Sequence, residues 1–410
     1  MIARLGLICI FAMAGVGQML PQPELLRLGA IKRKIREHLS MMPNYTCLET
    51  VERYQHLPGR KRESLVDVVR LEVALVEGRE MFAWPGAGKF EASDIREVVS
   101  TGAFSNGSFA LHARAIFVSE VAVFQNVAAV ELDGVKAWRY DYYTPLFRSG
   151  YELRSSGRGA ATVGYHGSIW ARDDNNELLR VTVVADDIPE MLGIVAAQDQ
   201  LNYQVAKIGQ RQALLPLESE VRLKDVSGVE SINRTRLSRC KQYSGESTLT
   251  FDEVSETAAG PAKVKKELVL EPYTEVVLAL ERELNHEEFA VGDPITARLA
   301  EPIKNGKKVL GERGALAKGR ILRLEHDDRE SSIYNVTLEF TEIEGQDWVV
   351  RPRLRLMTTD PNLALPPLPT GRGSQMVRYV TPRTDPNGFI VRQNRLKLKP
   401  GFRLIWQTQK

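Results

Sequence analysis

Apolar residues recur at helical spacing near the start of the chain, and mostly at a period of two after it. Leu25, Leu28, Ile31, Ile35, Leu39 and Met42 are interleaved with Lys32, Arg33, Lys34, Arg36 and Glu37. That spacing predicts an amphipathic helix, which Pro43 stops. Alternation then sets in over residues 45–54 (YTCLETVERY), 66–76, 80–84, 128–132 and 135–143, the pattern of half-buried strands. Asp133-Gly134 between the last two predicts a tight hairpin. A second hairpin joins residues 167–172 to 178–185 through Asp173-Asp174-Asn175-Asn176. Residues 93–112 read as a short helix and a loop, and residues 187–200 leave room for one short helix. Strands at 203–208, 214–217, 219–223 and 235–243 complete an antiparallel meander. Strands do not alternate with long helices, which argues against a doubly wound α/β fold.

Residues 253–265 (EVSETAAGPAKVK) are small, polar and patternless, and predict a linker between a domain at 22–252 and a second unit at 266–357. The second unit shows about six short strands punctuated by glycine, which fits a small β-barrel. Residues 358–373 hold Pro361, Pro366, Pro367 and Pro369 and read as an extended spacer. Residues 374–410 alternate again, and either complete the barrel or pair with a partner's edge. The expected fold class is therefore mainly β with a few helices.

The 43% hydrophobic and 26% charged residues suit a chain that buries a core. Net charge is +3, unevenly spread: residues 371–410 carry nine Lys or Arg against Asp385 alone. Such a basic end is either one solvated face of a β-element or a contact for an anionic surface. Residues 1–17 have the parts of a signal peptide: Arg4, an apolar run from 5 to 16, and small residues that place cleavage after Gly17 or Ala14. The apolar run is too short to span a bilayer, and no second run is long enough. The expected location is the periplasm or the exterior, which removes nucleic acid as the natural partner of the basic tail. Two cysteines follow the leader, Cys47 and Cys240. They are either a disulfide of an oxidising compartment or a pair of buried thiols.

Catalytic and cofactor signatures are missing from the sequence. It holds no GxGxxG, Walker A, HExxH or GxSxG pattern, and none of its six histidines lies within four residues of another. No catalytic residue, metal or cofactor is expected. Asp173-Asp174 and Asp186-Asp187 read as turn residues before they read as glycosidase carboxylates or calcium ligands. The more informative residues are aromatic. Trp138, Tyr140 and Tyr142 share one face of a strand, with Tyr165, His166 and Trp170 following. This face either packs under a helix or lines a groove for lipid, glycan or peptide. These six residues are the candidate ligand-binding set.

Residues 24–252 resemble the periplasmic lipoprotein-carrier (LolA/LolB-like) family. The likeness lies in the leading amphipathic helix, the strands at 66–76 and 80–84, and the hairpin GSIWARDDNNELLRVTV at 167–183. That resemblance implies an N-terminal antiparallel half-barrel packed with helices, with acyl chains or lipoproteins in its concave face; the cysteine pair is foreign to it. MPNYTCLETVERY and SRCKQYSGESTLTFD also resemble exported proteins of soil bacteria such as the Acidobacteria. VGDPITARLAEPI and AKGRILRL are similar to small β-barrel modules of envelope and secretion systems, which serve assembly. The function expected is a non-enzymatic exported envelope protein that binds an apolar ligand or an envelope partner. The alternatives are an assembly protein without cargo and a hydrolase of envelope polymer.

Overall fold

The computed structural model describes residues 22–90, 95–98, 111–155, 157–243, 265–306, 308–327, 333–359, 387–393 and 395–410. The expected leader, residues 253–264 of the expected linker and residues 360–386 lie outside them. The described chain is mostly β, with few helices.

The predicted amphipathic segment forms α1 (Gln22–Ser40), which buries Leu28, Ile31, Ile35 and Leu39. Each such burial contributes roughly 1.5–3 kcal/mol. Leu25, the first residue of the expected stripe, stays half exposed. The strands that follow are β1 (Tyr45–His56), β2 (Ser64–Val76) and β3 (Arg79–Ala83). Short helices α2 (Ile95–Val98) and α3 (Leu111–Phe117) come next. Then come β4 (Val123–Leu132), β5 (Val135–Thr144), β6 (Glu152–Ser155), β7 (Gly159–Thr162), β8 (Gly164–Arg172) and β9 (Leu178–Asp186). The unit ends with β10 (Ile194–Ile208), β11 (Arg211–Asp225) and β12 (Glu230–Gln242). Asp133 and Gly134 both take positive φ, 50° and 80°, as a type I′ turn requires between β4 and β5.

Ten of these strands make one antiparallel sheet in the order β3-β2-β1-β12-β11-β10-β9-β8-β5-β4. Where the sequence predicts separate strands at 214–217 and 219–223, β11 runs unbroken through Pro216. The ladder to β10 shifts register there, pairing Asn202 with Glu218 and Tyr203 with Pro216. Such a bulge absorbs the residue that lacks an N–H. The expected short helix at 187–200 shrinks to one 3₁₀ turn at Glu190–Leu192, because β10 already begins at Ile194.

The second unit contains β13 (Lys266–Glu267), β14 (Glu275–Leu280), β15 (Leu284–Asn285), β16 (Pro294–Leu299), β17 (Ile303–Asn305) and β18 (Lys308–Gly311). It continues through β19 (Leu316–Asp327), β20 (Ile333–Glu344), β21 (Trp348–Val350) and β22 (Leu354–Thr359). The last strands are β23 (Gly388–Arg392), β24 (Lys397–Leu398) and β25 (Arg403–Thr408). Nine of them form a sheet ordered β13-β21-β20-β19-β16-β14-β25-β22, with β23 on β20.

The expected half-barrel is misplaced. The curled sheet is the C-terminal one, whereas the N-terminal sheet is open, ending at β3 and β4. On the C-terminal sheet the rings of Phe340 on β20 and Trp406 on β25 lie 5.6 Å apart. Four strand spacings separate β20 from β25, about 19 Å if the sheet were flat. Two bulges in the β19–β20 ladder concentrate the bend, one on β20 opposite Lys318 and Gly319 and one on β19 between Ile321 and Arg323. At Gly319 a Cβ would sit 2.2 Å from the Glu339 carbonyl oxygen, so the close approach requires glycine.

The two sheets share one hydrophobic core, which runs from Tyr45, Val69 and Leu71 to Phe340, Leu404 and Trp406. They also join at an edge. Strand β3 covers only residues 72–76 of β2, and beyond it Val291 donates to Val68 O and accepts from Arg70 N, both at 2.8 Å. Gly292 makes this possible: its φ is 98°, and a Cβ would lie 2.2 Å from Arg70 O and 2.8 Å from the Trp84 ring. Arg70 pairs with Asp293 beside the junction. Nearby, Arg53 donates to Asp67 Oδ1 at 2.6 Å and to Oδ2, and its Nη2 lies 3.8 Å from Glu325 of β19.

Cys47 and Cys240 form a disulfide, with Cα atoms 4.1 Å apart on the neighbouring strands β1 and β12. Arg239 takes φ 51° beside it, where the β1–β12 register shifts.

Candidate binding surfaces of the N-terminal sheet

The aromatic face is the first candidate. Alternation along β5 and β8 turns Tyr140, Tyr142 and Tyr165 to one side, where all three are buried. Leu28, Ile31, Ile35 and Leu39 of α1, with Ile116 and Phe117 of α3, fill the space against them. The phenols are satisfied from within: Tyr140 donates to Glu24 O at 3.0 Å and Tyr142 to Thr182 O at 2.8 Å. Burial pushes the Tyr140 phenol up to about 12 and Tyr142 well above its usual range. Trp138 lies at the rim, its Nε1 donating to Asp173 at 2.6 Å under the Arg27 guanidinium.

The other two candidate residues point away. His166 is exposed and its Nδ1 lies 2.7 Å from Asp186 Oδ1. Trp170 alternates with Ile169 to the outer face and stands opposite Arg139 of β5. The six aromatic and histidine candidates therefore divide between two faces of the sheet and form no single pocket. Asp173 closes its turn by accepting from Arg27 and Trp138. Among the described residues, no group of three His, Cys, Asp or Glu could hold a metal ion. No helix among them is long and apolar enough to cross a membrane.

Three polar constellations escape sequence reasoning because their members are far apart in the chain. His112 of α3 lies 2.8 Å through Nε2 from Asp199 of β10, and Tyr151 donates to the same carboxylate at 3.4 Å. This resembles half of an acyl-transfer triad, yet no serine or cysteine among the described residues bonds to His112, and burial raises the Tyr151 phenol. Its evident work is to tie α3 to the sheet. Glu49, 5% exposed, leaves Oε2 without a partner, and burial with the charge of Glu80 pushes its carboxyl up to about 8. The hydroxyls of Tyr45 and Tyr203 are likewise buried without partners. In the second unit His286, just after β15, and His326 of β19 stack with rings 6.3 Å apart, both beside Tyr334. Burial lowers His286.

A cleft of about 460 Å³ opens where neighbouring strands end at different levels. Strand β9 pairs with residues 198–202 of β10, and from Tyr203 onward β10 is bonded to β11 alone. The β8–β9 turn forms the floor, and Leu132, Asp133 and Val135 at the β4–β5 tip form the far wall. Arg180 is held by Asp133 and Asn202, Glu177 by Lys34, and Glu218 by Arg236. Arg172, also in the wall, has no ion-pair partner among the described residues. Position along β8 carries no signal for it, since the cleft depends on relative strand lengths.

No protein-family model matches this sequence, and no curated protein matches it. A solved structure that is similar is a DUF1329 family protein from Desulfovibrio piger, 12% identical, covering 54% of this chain and 95% of that one with a TM-score of 0.28. A likeness at that level transfers neither fold nor function.

Proposed function

We propose that this chain is an exported, non-enzymatic protein of the cell envelope that works by binding a protein partner. The observation that supports this most is the filled aromatic face. An acyl chain needs an open apolar concavity, and here Leu28, Ile31, Ile35, Leu39, Ile116 and Phe117 occupy the space such a chain would take. The open cleft is lined in part by Asp133, Arg172, Glu177, Arg180, Asn202 and Gln204 beside unpaired strand backbone, which suits a polypeptide better than a lipid. The hydrolase alternative has less behind it, since the carboxylates at 173 and 186 are engaged on different elements.

Native mass spectrometry of the protein isolated from its own envelope tests the reading. The expected mass is that of the processed chain with no acyl adduct. A stoichiometric lipid or acylated peptide would replace the reading with the cargo-carrier alternative.

A further inference from the structure

The end of β10 presents an unusual feature for a central strand. Over Tyr203–Lys207, about 17 Å of strand, one side of its backbone is paired with no neighbouring strand, and Tyr203, Gln204 and Val205 of this stretch line the cleft. Exposed edges are normally blunted by proline, bulges or several charges. Here Gln204 and Val205 are exposed and only Lys207 adds a charge. A row of N–H and C=O groups at strand spacing is matched by another polypeptide backbone, which no acyl chain or sugar reproduces. The cleft walls add specificity. Val205 offers exposed apolar contact beside the buried Leu178 and Leu214, and Arg172 offers a guanidinium whose fork fits a carboxylate.

We propose that the cleft between β9 and β10 binds an extended segment of a partner protein, which adds as a strand to residues 203–207 and places a carboxylate on Arg172. This rests on the protein-binding reading and names the form the partner takes. The edge supplies affinity through backbone hydrogen bonds that any sequence can make. Arg172 selects segments with an acidic side chain or a free C-terminus.

A linear peptide library displayed on phage and panned against the intact, disulfide-bonded protein tests the proposal. Selected peptides should share an acidic position and slow amide exchange at 203–207. N-methylation of the backbone nitrogens that face β10 should weaken them at least tenfold, a result independent of any change to the protein. Arg172→Glu should weaken them about tenfold, and replacing the peptide's acid with lysine should restore binding to that variant. The proposal is overturned if no peptide is selected, if N-methylation has no effect, or if protection falls elsewhere. Failure here with a lipid-free native mass removes only the cleft assignment. Peptide binding beside a stoichiometric acyl adduct removes the cargo-free reading and leaves the cleft.

Discussion

At the scale of single residues, Glu49 is the most exacting case. Its face of β1 also carries Tyr45, Cys47, Val51 and Arg53, all buried. The alternation of YTCLETVERY is legible, but both faces contain charged residues, so the sequence does not say which face is covered. Burial lifts the carboxyl from its ordinary value of 4.5 to about 8. The folded state therefore holds a proton that the unfolded state releases, and stability from this group is lost as pH rises from about 4.5 through about 8. Glu49→Gln should melt near the wild-type temperature at mildly acid pH and several degrees above it in alkaline buffer. Equal melting temperatures across that range, measured by circular dichroism, would contradict the assignment. Turn residues were easier to read: Asp133-Gly134 needs no tertiary context, because positive φ at both positions already favours that pair.

Elements were legible where their pattern is local and ambiguous where a neighbour decides. Helix α1 follows from its own spacing. The length of β11 does not, because Pro216 normally ends an inner strand and is tolerated only through the bulge opposite Tyr203. The cysteines illustrate both conditions. Their number allows a bridge or two buried thiols, and only the pairing of β1 with β12 shows a bridge that fastens adjacent strands, with 193 residues of separation in the chain. Cys47→Ser with Cys240→Ser should lower unfolding free energy by about 2–4 kcal/mol, read as a reduced guanidinium midpoint. An unchanged midpoint would show that the β1–β12 ladder and its core need no covalent help. A period of two marks the candidate aromatic residues but not their fate, since a buried face and a groove share one alternation.

For the whole molecule, the sequence suggested two units joined by a polar linker, and says nothing of the surface between them. The edge contact of Val69 with Val291 and the Arg70–Asp293 pair join residues more than two hundred positions apart. They depend on Gly292, whose role is visible only once β2 lies beside it. Because both sheets contribute to one core, heating should give a single calorimetric transition whose van't Hoff and calorimetric enthalpies agree. Two resolved transitions would mean that the shared core does not couple the sheets.

The filling of the aromatic face by α1 decides between a binding protein without cargo and a carrier with a groove. Amide hydrogen exchange along α1 measures that filling most directly. If the helix is permanent core, amides around Leu28, Ile31, Ile35 and Leu39 exchange only with global unfolding, as slowly as those of β8 and β9. Exchange of these amides through a low-energy local opening, with the strands still protected, would show that α1 leaves the sheet and that Tyr140, Tyr142 and Tyr165 line a groove.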